Sequence, residues 1–201
     1  IVVNSTLSCS NCYRERQLEL FQRNQVLIPQ SQVLGTQSFV LEDLYKYKEG
    51  NFWLKRADFQ TIEEIDVIKI DTYLQAEKVL KNYNVRGIKK AIICQHIEGD
   101  VIKFYGVRDT DFFYYYYPEE DKFHNKINTS KDRNNFSLQD MKQQTIKAAQ
   151  ILDLDVYGGD IIVDKQGNAY IIDMNDFPSF SCCTKAAAKA ISEQFIKKCN
   201  L

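Results

Sequence analysis

Glycine and proline are scarce in this sequence, with eight and three among 201 residues. No Pro-, Gly- or Ser-rich stretch divides the chain, so it reads as one core or as two small lobes sharing a cleft. Histidine is scarcer still, at two residues. No G-x-S-x-G occurs either, so the pattern of a serine nucleophile with its histidine base is missing. Charge of one sign is lacking: 26 Lys and Arg face 27 Asp and Glu, for a net charge of -1. That excludes the strong field of a nucleic-acid or membrane-surface binder. No apolar run approaches the roughly 20 residues that cross a bilayer. The opening "IVVNST" has neither a basic n-region nor a long apolar h-region, so it is no signal peptide. It starts without Met on the tail of a strand, which reads as a fragment or a processed product.

Six cysteines are present. Cys9 and Cys12 form a C-x-x-C with no second pair and no nearby His, short of the four ligands of a zinc site. Cys182 and Cys183 are adjacent, and Cys94 sits in the apolar run "AIICQHI". The reading is reduced thiols in a cytoplasmic protein. N-x-[ST] matches at Asn4, Asn128 and Asn135 are of the kind that chance supplies.

The elements mix helices with antiparallel strands, so the fold class is α+β. A helix is expected over 4–25, capped by Ser8 or Ser10, and a short one over 38–50 ending at Gly50. "NFWLKRADF" alternates like a strand. "DTYLQAEKVLKNYNVRG" is amphipathic at helical spacing and ends at Gly87. "KKAIICQHIEGD", "VIKFYGVRD" and "FFYYYYP" are expected strands, the last buried on both faces. Residues 118–136 read as a polar surface loop. A helix follows from Ser137, then a hairpin over 160–175, then a closing helix.

The hairpin asks for a chemical explanation. Its second arm, "AYIIDMN", runs an apolar strand pattern into Asp173 and Asn175. With arms at 160–164 and 169–175 and "DKQG" supplying the turn, a four-residue turn puts Asp160 opposite Asp173, and a tighter one moves it one pair away on the same face. Alternation then places Asp173 and Asn175 on the face of Ile171. Two carboxylates and an amide at one spot repel and lose hydration unless compensated. Mg²⁺ compensates them, being hard, oxygen-seeking and content with one or two carboxylates plus phosphates. The alternative is a solvated face with Lys or Arg partners.

"GGDIIVDKQGNAYIIDMNDFPSF" resembles the metal-binding hairpin of the ATP-grasp superfamily, and its "N-x-F-P" ending is similar to the inositol trisphosphate 5/6-kinase branch. The resemblance implies two α+β lobes with antiparallel sheets around a nucleotide cleft. A first lobe would span 13–98 and a second 99–201. Residues 1–12 would be the remnant of a missing or truncated N-terminal domain, or a linker. It implies ATP and Mg²⁺ as cofactors, with Asp160, Asp173 and Asn175 on the metal. Lys55 in "FWLKRADF" would reach the α/β phosphates, although Arg56 stands where Pro is usual. Gln95, His96 and Ile97 would form the hinge against adenine, through backbone near His96 and Ile97. Glu98 or Asp100 would hold ribose. Lys103 and Arg108 would face the phosphates and the acceptor, and Arg16 (or Arg14) would be a first phosphate-binding cation. Lys55 and Arg108 are the expected catalytic cations. "RADFQTIEEID" lacks the glycines of the loop that usually closes over the triphosphate.

Three functions follow as expectations. The first is an ATP-dependent ligase joining a carboxylate to an amine through an acylphosphate. The second is a kinase of a small polyol or phosphosugar, with Lys131 and Arg133 in the polar loop available to a phosphorylated acceptor. The third is a non-catalytic nucleotide-binding module. The partners are ATP and a small-molecule or peptide acceptor. The aromatic strand offers an edge for a homodimer, and oligomeric state is left open.

Overall fold

The computed structural model describes residues 2–59, 61–118 and 133–199. Most of the expected polar loop, Lys131 included, lies outside the described residues. The chain divides into two compact units, each with its own four-stranded antiparallel sheet. No described helix is long and apolar enough to cross a membrane.

One unit comprises Tyr13–Glu19 and Ile28–Ile97. Its strands are β1 (Ser31–Gly35), β2 (Phe52–Arg56), β3 (Val67–Ile70) and β4 (Lys90–Gln95), in the order β1-β4-β2-β3. Helix α3 (Tyr73–Val85) is capped by Thr72, whose hydroxyl accepts from the Gln75 amide. It buries Ala76, Val79, Leu80 and Tyr83, spaced three and four apart as a helical stripe requires. Gly87, at φ 77°, lets the chain turn out of the helix. The stripe packs on Phe52, Leu54, Ile70 and Ile93. Each fully buried aromatic or branched side chain there contributes about 1.5–3 kcal/mol.

The other unit comprises the described residues of Ile1–Cys12, Leu20–Leu27 and Glu98–Leu201. Its strands are β5 (Asp100–Val107), β6 (Phe113–Tyr116), β7 (Val156–Val163) and β8 (Ala169–Asn175), in the order β6-β5-β7-β8. Helix α4 (Leu138–Ile151) starts at Ser137, whose hydroxyl accepts from the Asp140 amide. Helix α5 (Thr184–Lys198) brings Ala190 and Ile191 against Val107 and Val156.

Several expectations give way. The helix expected over 4–25 is two, α1 (Thr6–Asn11) and α2 (Arg14–Arg23), parted at Cys12. Ser5 is the cap of α1; Ser8 is buried and donates to the Asp153 carbonyl at 2.6 Å. The segment 38–50 forms only a 3-10 turn at Leu41–Asp43, with Asp43 accepting from the Val40 amide. Strand β3 was not foreseen. The aromatic strand β6 is half-buried at a sheet edge, not buried on both faces.

Residues 2–12 pack as part of the unit that carries the hairpin. Asn4 is buried at φ 56°. Its Oδ1 accepts from the amides of Asp155 and Val156, and its Nδ2 donates to the carbonyls of Val156 and Asp176. One side chain thus ties the start of β7 to the end of β8. Asn4→Ala strips four bonds from buried backbone, and a loss of about 2–3 kcal/mol is expected, read by urea denaturation.

Candidate functional site

The hairpin joins β7 to β8 through residues 164–168. Asp164 accepts from the amides of Gln166 and Asn168, and Gly167 takes φ 86°. The pairing runs Val163 with Ala169 and Ile161 with Ile171, then shifts so that Asp160 pairs with Asp173 and Gly158 with Asn175. The turn is therefore five residues long, and a bulge at Ile172 absorbs the extra residue. Asp160 does lie opposite Asp173, but by a longer turn plus a bulge. The bulge also reverses the alternation. Ile171 and Met174 are buried on one face, while Asp173 and Asn175 stand on the other. The expectation that Asp173 shares a face with Ile171 is corrected accordingly.

Register then lays out the polar face row by row. Tyr116, Lys103, Asp160 and Asp173 form one row across all four strands. Lys103 Nζ lies 2.8 Å from Asp160 Oδ1. Burial opposes the charge on Lys103, but the Asp160 carboxylate outweighs it, so its pKa is raised. Asn175 Nδ2 donates to Asp173 Oδ2 at 3.0 Å. The next row is Tyr114, Tyr105, Gly158 and Asn175. Towards Asp100, Val101 pairs with Ile162, giving an apolar patch on the same face.

Two carboxylates and one amide are hard oxygen donors in a half-buried setting, and they fit Mg²⁺. Turning the Asn175 amide about a soft terminal torsion presents its oxygen to such a cation. Among the described residues no three of His, Cys, Asp and Glu cluster as a metal site. Both thiols of the C-x-x-C pair are kept protonated: a hydrogen bond to Asp176 and burial push Cys9 up to about 11, and burial pushes Cys12 up to about 12. None of the six cysteines is in a disulfide.

Arg108 is not brought to this face. It follows β5 five positions beyond Lys103, a separation of roughly 17 Å along a strand. Its guanidinium holds Asp155 at 2.5 Å and Asp153 at 3.4 Å, and Lys198 closes the same cluster. The expected joint placement of Lys103 and Arg108 on the phosphates is not what the geometry provides. Asp100 is engaged by the Asn134 amide at 2.7 Å and by Arg133 at 3.4 Å, while Glu98 is exposed. Arg133 also lies over the Tyr117 ring, 4.0 Å from its centroid.

In the other unit, Lys55 lies on β2 beside Trp53, on the face opposite Phe52 and Leu54. Its neighbour across β4 is Ile92, and Trp53 has Cys94. Gln95 and His96 spend their amides on the carbonyls of Gln30 and Asn51. The His96 amide therefore drops out of the expected contacts to a base edge. His96 Nδ1 accepts from the Trp53 indole at 3.1 Å, which places any ring proton on Nε2. Arg16 is exposed and paired with Glu19. Arg14 instead donates to the Phe59 carbonyl and to Thr61.

Arg56, in place of proline, has a structural task. It grips Asp58 through two bonds of 2.8 and 3.0 Å and reaches Asp66 at 3.3 Å. Asp66 is fully buried and also accepts from the Ile62 and Glu63 amides and from Arg86. Sequence reading missed this cluster. Its signal was "EEID", an acidic residue directly before an apolar run, with both cations far away in sequence.

Compared with protein-family models and with curated proteins, the sequence matches none. Solved structures do match. A D-alanine-D-alanine ligase from Coxiella burnetii superposes with a TM-score of 0.67 at 10% identity, over 98% of this chain and 64% of that one. D-alanyl-alanine synthetase A from Vibrio cholerae gives 0.68 at 10%, over 97% and 68%. The ATP-grasp ligase PsnB, complexed with precursor peptide PsnA2 and AMPPNP, gives 0.62 at 16%, over 96% and 62%. The chain spans somewhat under two thirds of the first of these structures. It has the ATP-grasp fold.

Proposed function

We propose that this chain binds Mg·ATP and is an ATP-dependent ligase that joins a carboxylate to an amine through an acylphosphate. The row Lys103–Asp160–Asp173, with Asn175 one row on, carries the reading: a cation for phosphate oxygens beside three oxygen donors for Mg²⁺. Ribose would meet Glu98, since Asp100 is already engaged. The phosphates would then run along β5 to Lys103; Lys55, in the other unit, is proposed by itself as a phosphate-binding cation. Arg108 has no part in this reading. PsnB is complexed with precursor peptide and AMPPNP in one solved structure, and with minimal precursor, Mg and ADP in another, which supports a nucleotide and metal role here.

Such a reaction uses no nucleophile from the protein. The chain's residues hold the triphosphate, neutralise its charge and keep the acid in line. Mg²⁺, when bound, supplies Lewis-acid polarisation of the phosphoryl oxygens.

Calorimetric titration with AMPPNP tests the nucleotide site. Mg²⁺ is expected to tighten binding at least about tenfold, and Asp173→Ala to abolish that gain. Binding that ignores Mg²⁺ sinks the metal assignment. Products decide the class: ADP with free phosphate marks the ligase, and ADP with a phosphorylated acceptor marks a kinase.

A further inference from the structure

Next to the phosphate row, the same sheet face turns aromatic. Tyr105 and Tyr114 are cross-strand partners, their ring centroids 6.3 Å apart. Tyr116 stacks on Tyr105, the planes only 2° apart. Phe180 closes the far side, 5.5 Å from Tyr105, and contacts the exposed Phe177. At Gly158 the floor of this row is closed by Pro178 and the Tyr105 ring, which occupy the space that a side chain there would fill. Beyond it, Val107 and Val156 are covered by α5. The platform is thus bounded on one side by the carboxylates and on the other by a helix.

Position along β5 gives the platform its meaning, resting on the nucleotide reading above. If the base end lies at Asp100 and the phosphates at Lys103, the next row is where an acceptor must sit. Two strand residues span about 7 Å, which separates Lys103 from Tyr105. A carboxylate within the 3–3.5 Å of attack on the terminal phosphorus would set its own substituent over the tyrosines. The charge beside Tyr116 is its cross-strand partner Lys103, already committed to Asp160 at 2.8 Å, which disfavours a second anion on the acid. Aromatic faces with hydroxyl tips favour a ring in an offset or edge-on contact.

We infer that the acceptor is a carboxylic acid bearing an aromatic ring, seated on Tyr114, Tyr116 and Phe180 beside the phosphate row. Its carboxylate oxygen attacks the γ-phosphorus, the β–γ bridging P–O bond breaks, and ADP leaves with that electron pair. An amine then attacks the acyl carbon, phosphate departs, and the amine proton passes to solvent. Tyr114 and Tyr116 are specificity-determining residues in this scheme.

The test captures the acylphosphate with hydroxylamine and measures hydroxamate. The full chain is given Mg·ATP and, separately, N-acetyl-phenylalanine, 3-phenylpropionate, N-acetyl-alanine or N-acetyl-glutamate. The two aromatic acids are expected to exceed the others at least about tenfold in kcat/KM. Tyr114→Ala should erase that preference through KM for the acid, with kcat and AMPPNP affinity within about twofold, and Tyr114→Phe should restore it. Tyr116→Ala serves in its place if Tyr114→Ala fails to fold. Equal or faster turnover of the alanine or glutamate derivative overturns the inference. So does the absence of hydroxamate from all four acids while Mg·AMPPNP binds, a result that leaves the nucleotide site standing. Loss of Mg²⁺-dependent AMPPNP binding in the wild type removes the nucleotide reading itself, and the inference with it.

Discussion

Asp66→Ala is expected to cost about 3–5 kcal/mol, the range for breaking a buried ion pair on one side. The substitution leaves Arg56, and in part Arg86, without their shared carboxylate, and it frees the Ile62 and Glu63 amides. At about 2–4 °C per kcal/mol, Tm should fall by roughly 10 °C, read by calorimetry or circular dichroism. The same residue sets an acid limb. Burial works against the charge of Asp66, but the two amides and two guanidiniums outweigh it and hold its pKa well below 3.8. A depressed folded-state pKa contributes stability that is complete above the unfolded value and is lost as pH falls towards the folded one. The stability gap between wild type and Asp66→Asn should therefore be constant from pH 7 to about 5 and shrink below about pH 4. A gap that persists unchanged to pH 2 would show that the carboxylate's charge is not what the cluster uses.

Gly159→Ala should do comparable damage in the other unit, by a different route. A β-carbon at Gly159 would stand 2.1 Å from the Asp173 carbonyl oxygen and 2.9 Å from the Phe104 ring. The first obstacle is backbone and cannot turn aside. Overpacking usually costs about 1–3 kcal/mol, and this contact should exceed about 3 because β7 and β8 must part. The strain falls where Asp160 faces Asp173. Mg²⁺-dependent AMPPNP binding should weaken at least about tenfold even in the fraction that folds. A variant with normal stability and binding would show that the hairpin relaxes more freely than its packing suggests.

Much of the hairpin is legible in sequence because its two signals are local. A period of two breaks where Asp173 and Asn175 interrupt it, and a Gly-containing turn precedes it. Helices α3 and α4 are legible for the same reason, with caps at Thr72 and Ser137 and a regular stripe. The bulge is not legible, since Ile172 is as apolar as its neighbours and nothing local marks which residue is skipped. Nor is β3, four residues at a sheet edge behind an acidic run. The Arg56–Asp66–Arg86 cluster joins residues 10 and 20 positions apart, beyond the reach of any pattern window. Arg108 was assigned to the phosphates from its strand, but its partners Asp153 and Asp155 come from another part of the chain. The aromatic run was read as core because composition does not distinguish an inner strand from an edge.

The bulge at Ile172 makes β8 a strand with two phases. Near the turn, odd-numbered residues face the core; past Ile172, even-numbered ones do. Loop and site are therefore uncoupled as far as length is concerned. Residues can be added or removed at 165–168 without rotating Asp173, because the sheet pairing between them sets the phase. Ile172 is the one residue skipped between the Ile161–Ile171 and Asp160–Asp173 pairings. Removing it would join those pairings directly, and plain alternation would still turn Ile171 and Met174 inward and Asp173 and Asn175 outward. The orientation of the charges thus belongs to the pairing with β7, and the strand carries one isoleucine more than that pairing uses.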